Sequence, residues 1–411
     1  MMKLKKIFYL SVVTVLAAAG WSSLTHAANT TKLIGCGPIQ RAMGGTSVGL
    51  PLDAGVTITN PAGISEVGRR IDLGVTYITA KVTYRAASNA GLVTENNKSI
   101  TSDTSPFILP AFGIVLPIND RFTFGLGTYA VCGIGTDYES NLYNNITYVK
   151  YTFLKFAPAI TYSFEDKFSV GIAPNIGYAT LGYEVGLTTQ QSHRDDAAFG
   201  FGFTVGALIK PVGLLSLDLP EDFVTLGVAY ESKQRFPDFE YNTALGKDKL
   251  ELDQPQSFAA GIGLRPTEKL RLAFDISWID WPQVIGKDMP VYTKNSSNAS
   301  LWNVDWDDQV IYKFGIEYDL IEKIKLRAGY NYGKNPLNST RAFENIAFPT
   351  IGEHHITGGI GIDVTEALSV HFGFMYAPKV SLDMSNTAQF INSANIEVYQ
   401  YSIDTGISYK F

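Results

Sequence analysis

Four histidines, two cysteines and a group of three aspartates are the residues from which catalysis or metal binding would have to be built, once a leader carrying His26 is set aside. Nucleophilic catalysis needs a nucleophile, a base in reach and a group that orients the base. His193 falls in a loop, and His371 takes the inward face of an alternating stretch. His354 and His355 are adjacent at the start of another such stretch, so their side chains point to opposite faces. No Ser-His-Asp arrangement and no paired-histidine metal spacing stands out. Cys36 and Cys132 have no histidine partners for a thiol site or a zinc site. In an oxidising compartment the two can instead pair as a disulfide. Leu33-Ile34-Gly35-Cys36 also fits a lipidation box, although polar residues 25–32 separate it from the preceding apolar stretch. Asp305, Asp307 and Asp308 offer oxygen ligands to a divalent cation, but a solvated acidic loop has the same composition. The chain has neither a phosphate loop nor a redox motif. The expectation is a protein that is not an enzyme, with no catalytic residue, no metal site and no cofactor.

The elements that position these residues begin with a leader. Lys3, Lys5 and Lys6 precede an apolar run from Ile7 to Gly20, and Thr25-His26-Ala27 offers a cleavage site, so residues 1–27 are expected to be a signal peptide. The remainder carries 30 basic and 39 acidic residues, a net charge of −9 that argues against nucleic acid as a partner. No later run of apolar residues is long enough for a transmembrane helix. Charged residues are only 18% and aromatics reach 12%, yet the mean hydropathy is +0.04. Alternating lipid-facing and lumen-facing residues average to such a value, whereas a helical membrane protein is far more hydrophobic.

The last stretch shows that alternation most plainly. Tyr399, Tyr401, Ile403, Thr405, Ile407, Tyr409 and Phe411 share one face, and Gln400, Ser402, Asp404, Gly406, Ser408 and Lys410 the other. Such a strand rises roughly 40 Å, or about 30 Å along the normal when tilted by about 40°, which is one bilayer core with an aromatic belt at each edge. From residue 70 to the end, fourteen such segments follow one another, among them 222–236 as the seventh and 367–377 as the thirteenth. Their connections alternate short and long, with 211–221 as the one longer connection on the short side. Short turns at one end and long loops at the other are the asymmetry of an outer-membrane barrel. The fold class expected is all-β: a 14-stranded antiparallel transmembrane β-barrel over residues 69–411, multi-pass in the outer membrane of a Gram-negative bacterium. Residues 28–68 do not alternate and are rich in Gly and Ala. The inner faces also carry many glycines, which make room for a filler or ease curvature. The obvious filler is residues 28–68, folded inside the lumen as a plug.

At this point the residues resemble a known family, the FadL family of outer-membrane transporters for long-chain fatty acids and aromatic hydrocarbons. The resemblance rests on Arg41-Ala42-Met43-Gly44-Gly45-Thr46 followed by Asn60-Pro61-Ala62-Gly63, on Phe124-Gly125-Leu126-Gly127-Thr128-Tyr129 with Gly133-Ile134-Gly135-Thr136-Asp137-Tyr138, and on Asp275-Ile276-Ser277-Trp278 through Leu326-Arg327-Ala328-Gly329-Tyr330 to Phe348-Pro349. It implies an N-terminal hatch at 28–68, with Asn60, Pro61 and Ala62 as its motif and Asn60 as a hinge or latch against a kinked third strand. It implies that the kink opens a hole in the wall, with Gly125, Gly127, Gly133 and Gly135 as the places where that strand can bend. The sequence departs from the family at Val131-Cys132, where a Pro and an aromatic are expected, so the kink position stays open. By alternation from Phe122, Cys132 faces lipid unless a bulge flips it.

The implied function is passive uptake of a hydrophobic small molecule, a fatty acid first, with lateral exit to lipid. A carboxylate substrate wants a basic partner. The inner faces offer Lys155, Lys210, Arg265, Arg271, Lys313, Lys325 and Arg327, of which Arg271, Lys325 and Arg327 are the candidates chosen. Trp302 and Trp306 are the candidate capture residues of a long loop. The expected surroundings are outer-membrane lipid including lipopolysaccharide, around a monomer. Aromatic hydrocarbon uptake, a porin-like channel for polar solutes and a surface receptor role for the loops stay open.

Overall fold

In the computed structural model, alternation is visible as alternating burial. Along Arg70–Ala87, Leu73, Val75 and Tyr77 are each 40–45% exposed, while Thr76 and Ile78 between and beside them are buried. Such outward rows wrap the sheet in an apolar band, and the inward rows hold Gly, Thr, Ser and charge. The structure describes residues 32–88, 93–103, 106–139, 147–165, 167–184, 192–216, 218–243, 246–286, 291–293, 300–302, 304–341, 344–346, 348–386 and 391–411. The expected leader lies outside these residues.

The barrel strands are β1 Arg70–Ala87, β2 Phe107–Pro117, β3 Phe122–Asp137, β4 Tyr148–Phe164, β5 Phe168–Glu184, β6 Ser192–Ile209, β7 Val224–Glu231, β8 Ser257–Thr267, β9 Leu270–Ile279, β10 Gln309–Ile321, β11 Ile324–Gly333, β12 His354–Asp363, β13 Leu368–Asn386 and β14 Ile391–Lys410. Each pairs antiparallel with its neighbours, and β14 pairs with β1 from Arg70↔Lys410 to Ala87↔Ser393, which closes the 14-stranded barrel. A short strand, Ser99–Thr101, adds to the long-loop end of β1. Closure removes the unpaired edges that lipid cannot solvate.

Three strands differ most from the sequence reading, the fourteenth by beginning at Ile391 and not at Ile396. The seventh stops at Glu231, because the pairing beyond it is irregular: Arg235 bridges to Phe201 of β6 one residue out of register with Thr204↔Glu231, Gln234 bridges to Gln254, and the Phe236 N–H donates to Asp253 Oδ1 at 2.8 Å. The thirteenth runs on to Asn386, past a register shift between Ala377 and Val380. Pro378 sits in that shift and has no N–H for the ladder, so the pattern looked finished there.

Residues 34–66 lie inside the barrel as two short helices, α1 Gly37–Ala42 and α2 Val56–Thr59, and a 3-10 turn, Pro61–Glu66. Ala42, Met43, Ala54, Val56, Thr57, Asn60, Ala62 and Ile64 are wholly buried there.

Candidate functional site

The N-terminal segment is fitted to the wall by close approach. A Cβ at Gly227 of β7 would overlap the Val48 carbonyl, and one at Gly329 of β11 would overlap the Gly44 nitrogen. Gly44 and Gly45 themselves take φ of +68° and +81°, a left-handed turn that favours glycine. Four polar groups of the wall then hold the segment. Asp275 of β9, fully buried, accepts the backbone N–H groups of Ser47 at 2.7 Å and Val48 at 2.9 Å. Asp404 of β14 lies 2.8 Å from Arg41 Nε. The Thr161 hydroxyl of β4 donates to the Pro61 carbonyl at 2.6 Å, and Ser169 of β5 donates to that of Ala62 at 3.0 Å.

Asn60 caps the 3-10 turn, accepting the Ala62 N–H at 3.2 Å, and its Nδ2 donates to Val48 O at 2.9 Å and Ala207 O at 3.2 Å. It therefore fastens the segment to β6, not to the third strand as the sequence reading had it. Pro61 turns the chain and Ala62 fits against Gly171 of β5.

The four third-strand glycines divide. Gly125 and Gly127 of β3 face the segment: a Cβ at Gly125 would stand 2.7 Å from Thr57 Cγ2, and one at Gly127 would overlap Thr57 Oγ1. They make room and do not bend the strand. The irregularity is at Val131, where the β3–β4 register shifts between Ala130 and Cys132. That bulge turns Cys132 inward to 2% exposure, which corrects the lipid-facing expectation. On its other side, β3 loses its neighbour. The β2–β3 ladder ends at Ala111↔Tyr129, although β2 continues to Phe107 against β1 and β3 continues to Asp137 against β4. The Phe107 and Leu109 side chains cover the interruption from β2, with Leu109 Cδ2 3.2 Å from where a Gly133 Cβ would be. Gly135 is buried farther along the same edge. The Val131 carbonyl accepts the Leu33 N–H at 3.2 Å. Pro110, the first β2 residue beyond the last pair, lacks an N–H for the ladder and is the signal for the interruption in the sequence. A shorter break lies between β4 and β5 opposite Pro158 and Pro174.

Directly behind Val131 is a cavity of about 130 Å³ between the segment and the wall. Phe153, Ile279 and Ile311 line it and continue into the large apolar cluster that fills the long-loop half of the barrel. Its charged lining is Lys32, Lys155 of β4, Lys313 of β10 and Glu231 at the end of β7. Burial pushes the Lys32 ammonium below its ordinary pKa, against the pull of Glu231. Lys155 and Lys313 belong to the inner-face set seen in the sequence; Lys32 was missed because it lies in no alternating run, and Glu231, on the inner row of the seventh strand, because only basic residues were sought.

Arg271, Lys325 and Arg327 do not line this cavity. They face a second one, of about 190 Å³, at the short-turn end. Arg271 Nη1 is 3.0 Å from Glu317 Oε1, Arg327 Nη2 is 2.7 Å from Glu317 Oε2, and Lys325 pairs with Asp363. Alternation gives the face of a residue and says nothing of its height; Arg271 and Lys325 are each the second residue of their strands.

Trp306 is no exposed capture residue. It is 1% exposed, edge-on to Trp281 at 5.3 Å and to Phe348 at 6.0 Å, and its Nε1 donates to Asn345 Oδ1 at 2.7 Å. Trp302 pairs with Val291 in a loop hairpin, and its side chain lies outside the described residues, as does that of His193. Cys36 and Cys132 form no disulfide: they are buried in separate apolar clusters. Burial pushes the Cys36 thiol up to about 12. Among the described residues no group of three or more His, Cys, Asp or Glu could hold a metal ion.

Asp53 gives the segment a pH dependence. Burial, then the carboxylate of Asp72, raise its pKa to about 7 against the pull of Arg70 and the hydrogen bond from Gln40. An unseated segment would return it to about 3.9. Between those values only the seated state keeps the proton, so seating is strongest in acid, weakens as pH rises through that window and levels off above it. Hydrogen exchange of residues 37–66, corrected for intrinsic rates, is expected to be faster at pH 8 than at pH 5, and Asp53→Asn to flatten the difference.

Comparison with known proteins agrees with this architecture. The family described as "Outer membrane protein transport protein (OMPP1/FadL/TodX)" matches residues 13–409. Outer membrane protein P1 of Haemophilus influenzae is 22% identical over 96% of this chain and 98% of its own. Among solved structures, a Pseudomonas aeruginosa FadL homologue superposes with a TM-score of 0.76 at 17% identity, covering 93% of this chain and 100% of that one. The Pseudomonas putida toluene transporter TodX superposes at 0.72 with 20% identity, again over 93% and 100%. A multi-pass barrel of the Gram-negative outer membrane, this chain belongs to the OMPP1/FadL/TodX family of outer membrane transport proteins.

Proposed function

We propose that the protein takes up long-chain fatty acids passively, and that they leave sideways into the membrane between β2 and β3. One observation carries this reading: an apolar-walled cavity with three ammonium groups against one carboxylate, set directly behind the unpaired stretch of wall. The ammonium groups suit a carboxylate head, and the apolar cluster toward the long loops suits the tail before it reaches the cavity. A lateral route keeps the tail out of water, which it avoids by about 25 cal/mol per Å². The N-terminal segment acts as the hatch that closes the lumen to polar solutes, which speaks against a porin. No catalytic step is assigned.

Aromatic hydrocarbons are the second reading. The cavity of about 130 Å³ is close to the roughly 150 Å³ that holds benzene in an engineered core, and TodX is a toluene transporter.

Uptake of labelled oleate and of toluene, in cells lacking their own transporter, separates the two. Saturable oleate uptake is expected, and Lys155→Met should lower it about tenfold while leaving toluene unchanged, since only the charged head loses a partner. Toluene uptake alone would keep the route and change the substrate. If neither compound enters faster while the barrel is folded in the membrane, the importer reading is wrong.

A further inference from the structure

Glu231 is the last residue of β7 in the regular ladder, and it lines the cavity. Its carboxylate collects a complete set of donors. Lys155 Nζ and Gln234 Nε2, the latter at 2.6 Å, meet Oε1; Lys32 Nζ at 3.2 Å and the Ser257 hydroxyl at 3.4 Å meet Oε2. These donors come from four places in the chain: the N-terminal segment, β4, the irregularly paired stretch after β7, and β8. Two ammonium groups, a carboxamide and a hydroxyl around two oxygens are what a free carboxylate would seek. Lys155 is only 3% exposed, so water does not replace Glu231 there. Lys313, the third ammonium, instead donates to the Gly45 carbonyl at 3.3 Å.

We propose that Glu231 is an internal competitor: the protein's own carboxylate fills the head-group position of the cavity and is exchanged for that of the substrate. The inference rests on the fatty acid reading of this cavity. Two carboxylates against three ammonium groups still leave the cavity without excess negative charge, so Glu231 has only to yield part of its donor set. Competition keeps the substrate weakly held, and a passive carrier that held its cargo tightly would not release it.

The test is Glu231→Gln, which keeps the shape and removes the charge. Binding of oleate and of methyl oleate is measured on the full-length protein in lipid nanodiscs, with uptake alongside and heat-modifiable gel mobility as the check on folding. The variant should bind oleate about tenfold more tightly, a factor set by one like-charge neighbour removed. It should bind methyl oleate as before and import oleate more slowly. Gln234→Ala, which only loosens Glu231, should shift oleate binding the same way by a smaller factor. Unchanged or weaker oleate binding by folded Glu231→Gln overturns the proposal, and the Gln234→Ala result decides if that variant does not fold. The native protein's preference for oleate over its methyl ester tests the fatty acid reading separately. A native preference with oleate binding unchanged in folded Glu231→Gln refutes the competitor and keeps the reading; no preference in either protein refutes both.

Discussion

Arg41→Ala is expected to unseat the N-terminal segment and turn a closed barrel into a leaky one. Arg41 is 2% exposed and its Nη2 also donates to Ser402 Oγ at 3.0 Å. Asp404 is fully buried and accepts from Thr76 Oγ1 at 2.5 Å and Ser402 Oγ at 3.1 Å. Those hydroxyls cannot neutralise it, so removing the guanidinium leaves an uncompensated buried charge. The cost of such a loss is about 3–5 kcal/mol, comparable with the stability of a whole small domain. Single-channel conductance in planar bilayers would detect the opening, with native protein nearly silent. Arg41→Ala with Asp404→Asn removes both charges and should recover much of the closure. Conductance of Arg41→Ala equal to native would show that the pair does not seat the segment.

The second large effect separates two glycines on one strand. Gly127→Val should prevent seating, since even its Cβ overlaps Thr57 Oγ1, and the barrel should become leaky or fail to fold. Gly133→Phe should fold and stay closed, because its nearest neighbours there are side-chain atoms of Leu109 and Phe107 and not backbone. It would overfill the interruption between β2 and β3. Overpacking costs about 1–3 kcal/mol, and a barrier raised by that amount slows passage roughly 5- to 150-fold. Oleate uptake by Gly133→Phe at the native rate, with the barrel folded, would remove the lateral exit from the proposal.

These two glycines also show what the sequence could and could not say. The strands were legible because lipid on one side enforces a period of two, and the rhythm of turns gave the order. Inner faces obey no such outside rule. Gly127 and Gly133 share a strand and a composition, yet one is answered by Thr57 and the other by Leu109. Their partners come from elsewhere in the chain, at separations no local pattern encodes. Cys132 shows the same limit: one extra residue at Val131 reverses the face of everything beyond it, and no residue type announced it. Lys155 and Lys313 were visible as inner-face bases, but their height along the strand, which separates them from Arg271 and Lys325, had not been read.

The seam between β1 and β14 bears on the order of assembly. Residues 34–66 leave the ribosome before any strand, but their partners include Asp275, Ser402 and Asp404, the last two on the final strand. Arg41 and Ser402 are 361 residues apart. Contacts of that separation form late and slowly. Until β14 pairs with β1, the segment has a groove and no chamber. Sealing the seam and capturing the segment are then one event, and a chain truncated before β14 would lose both together.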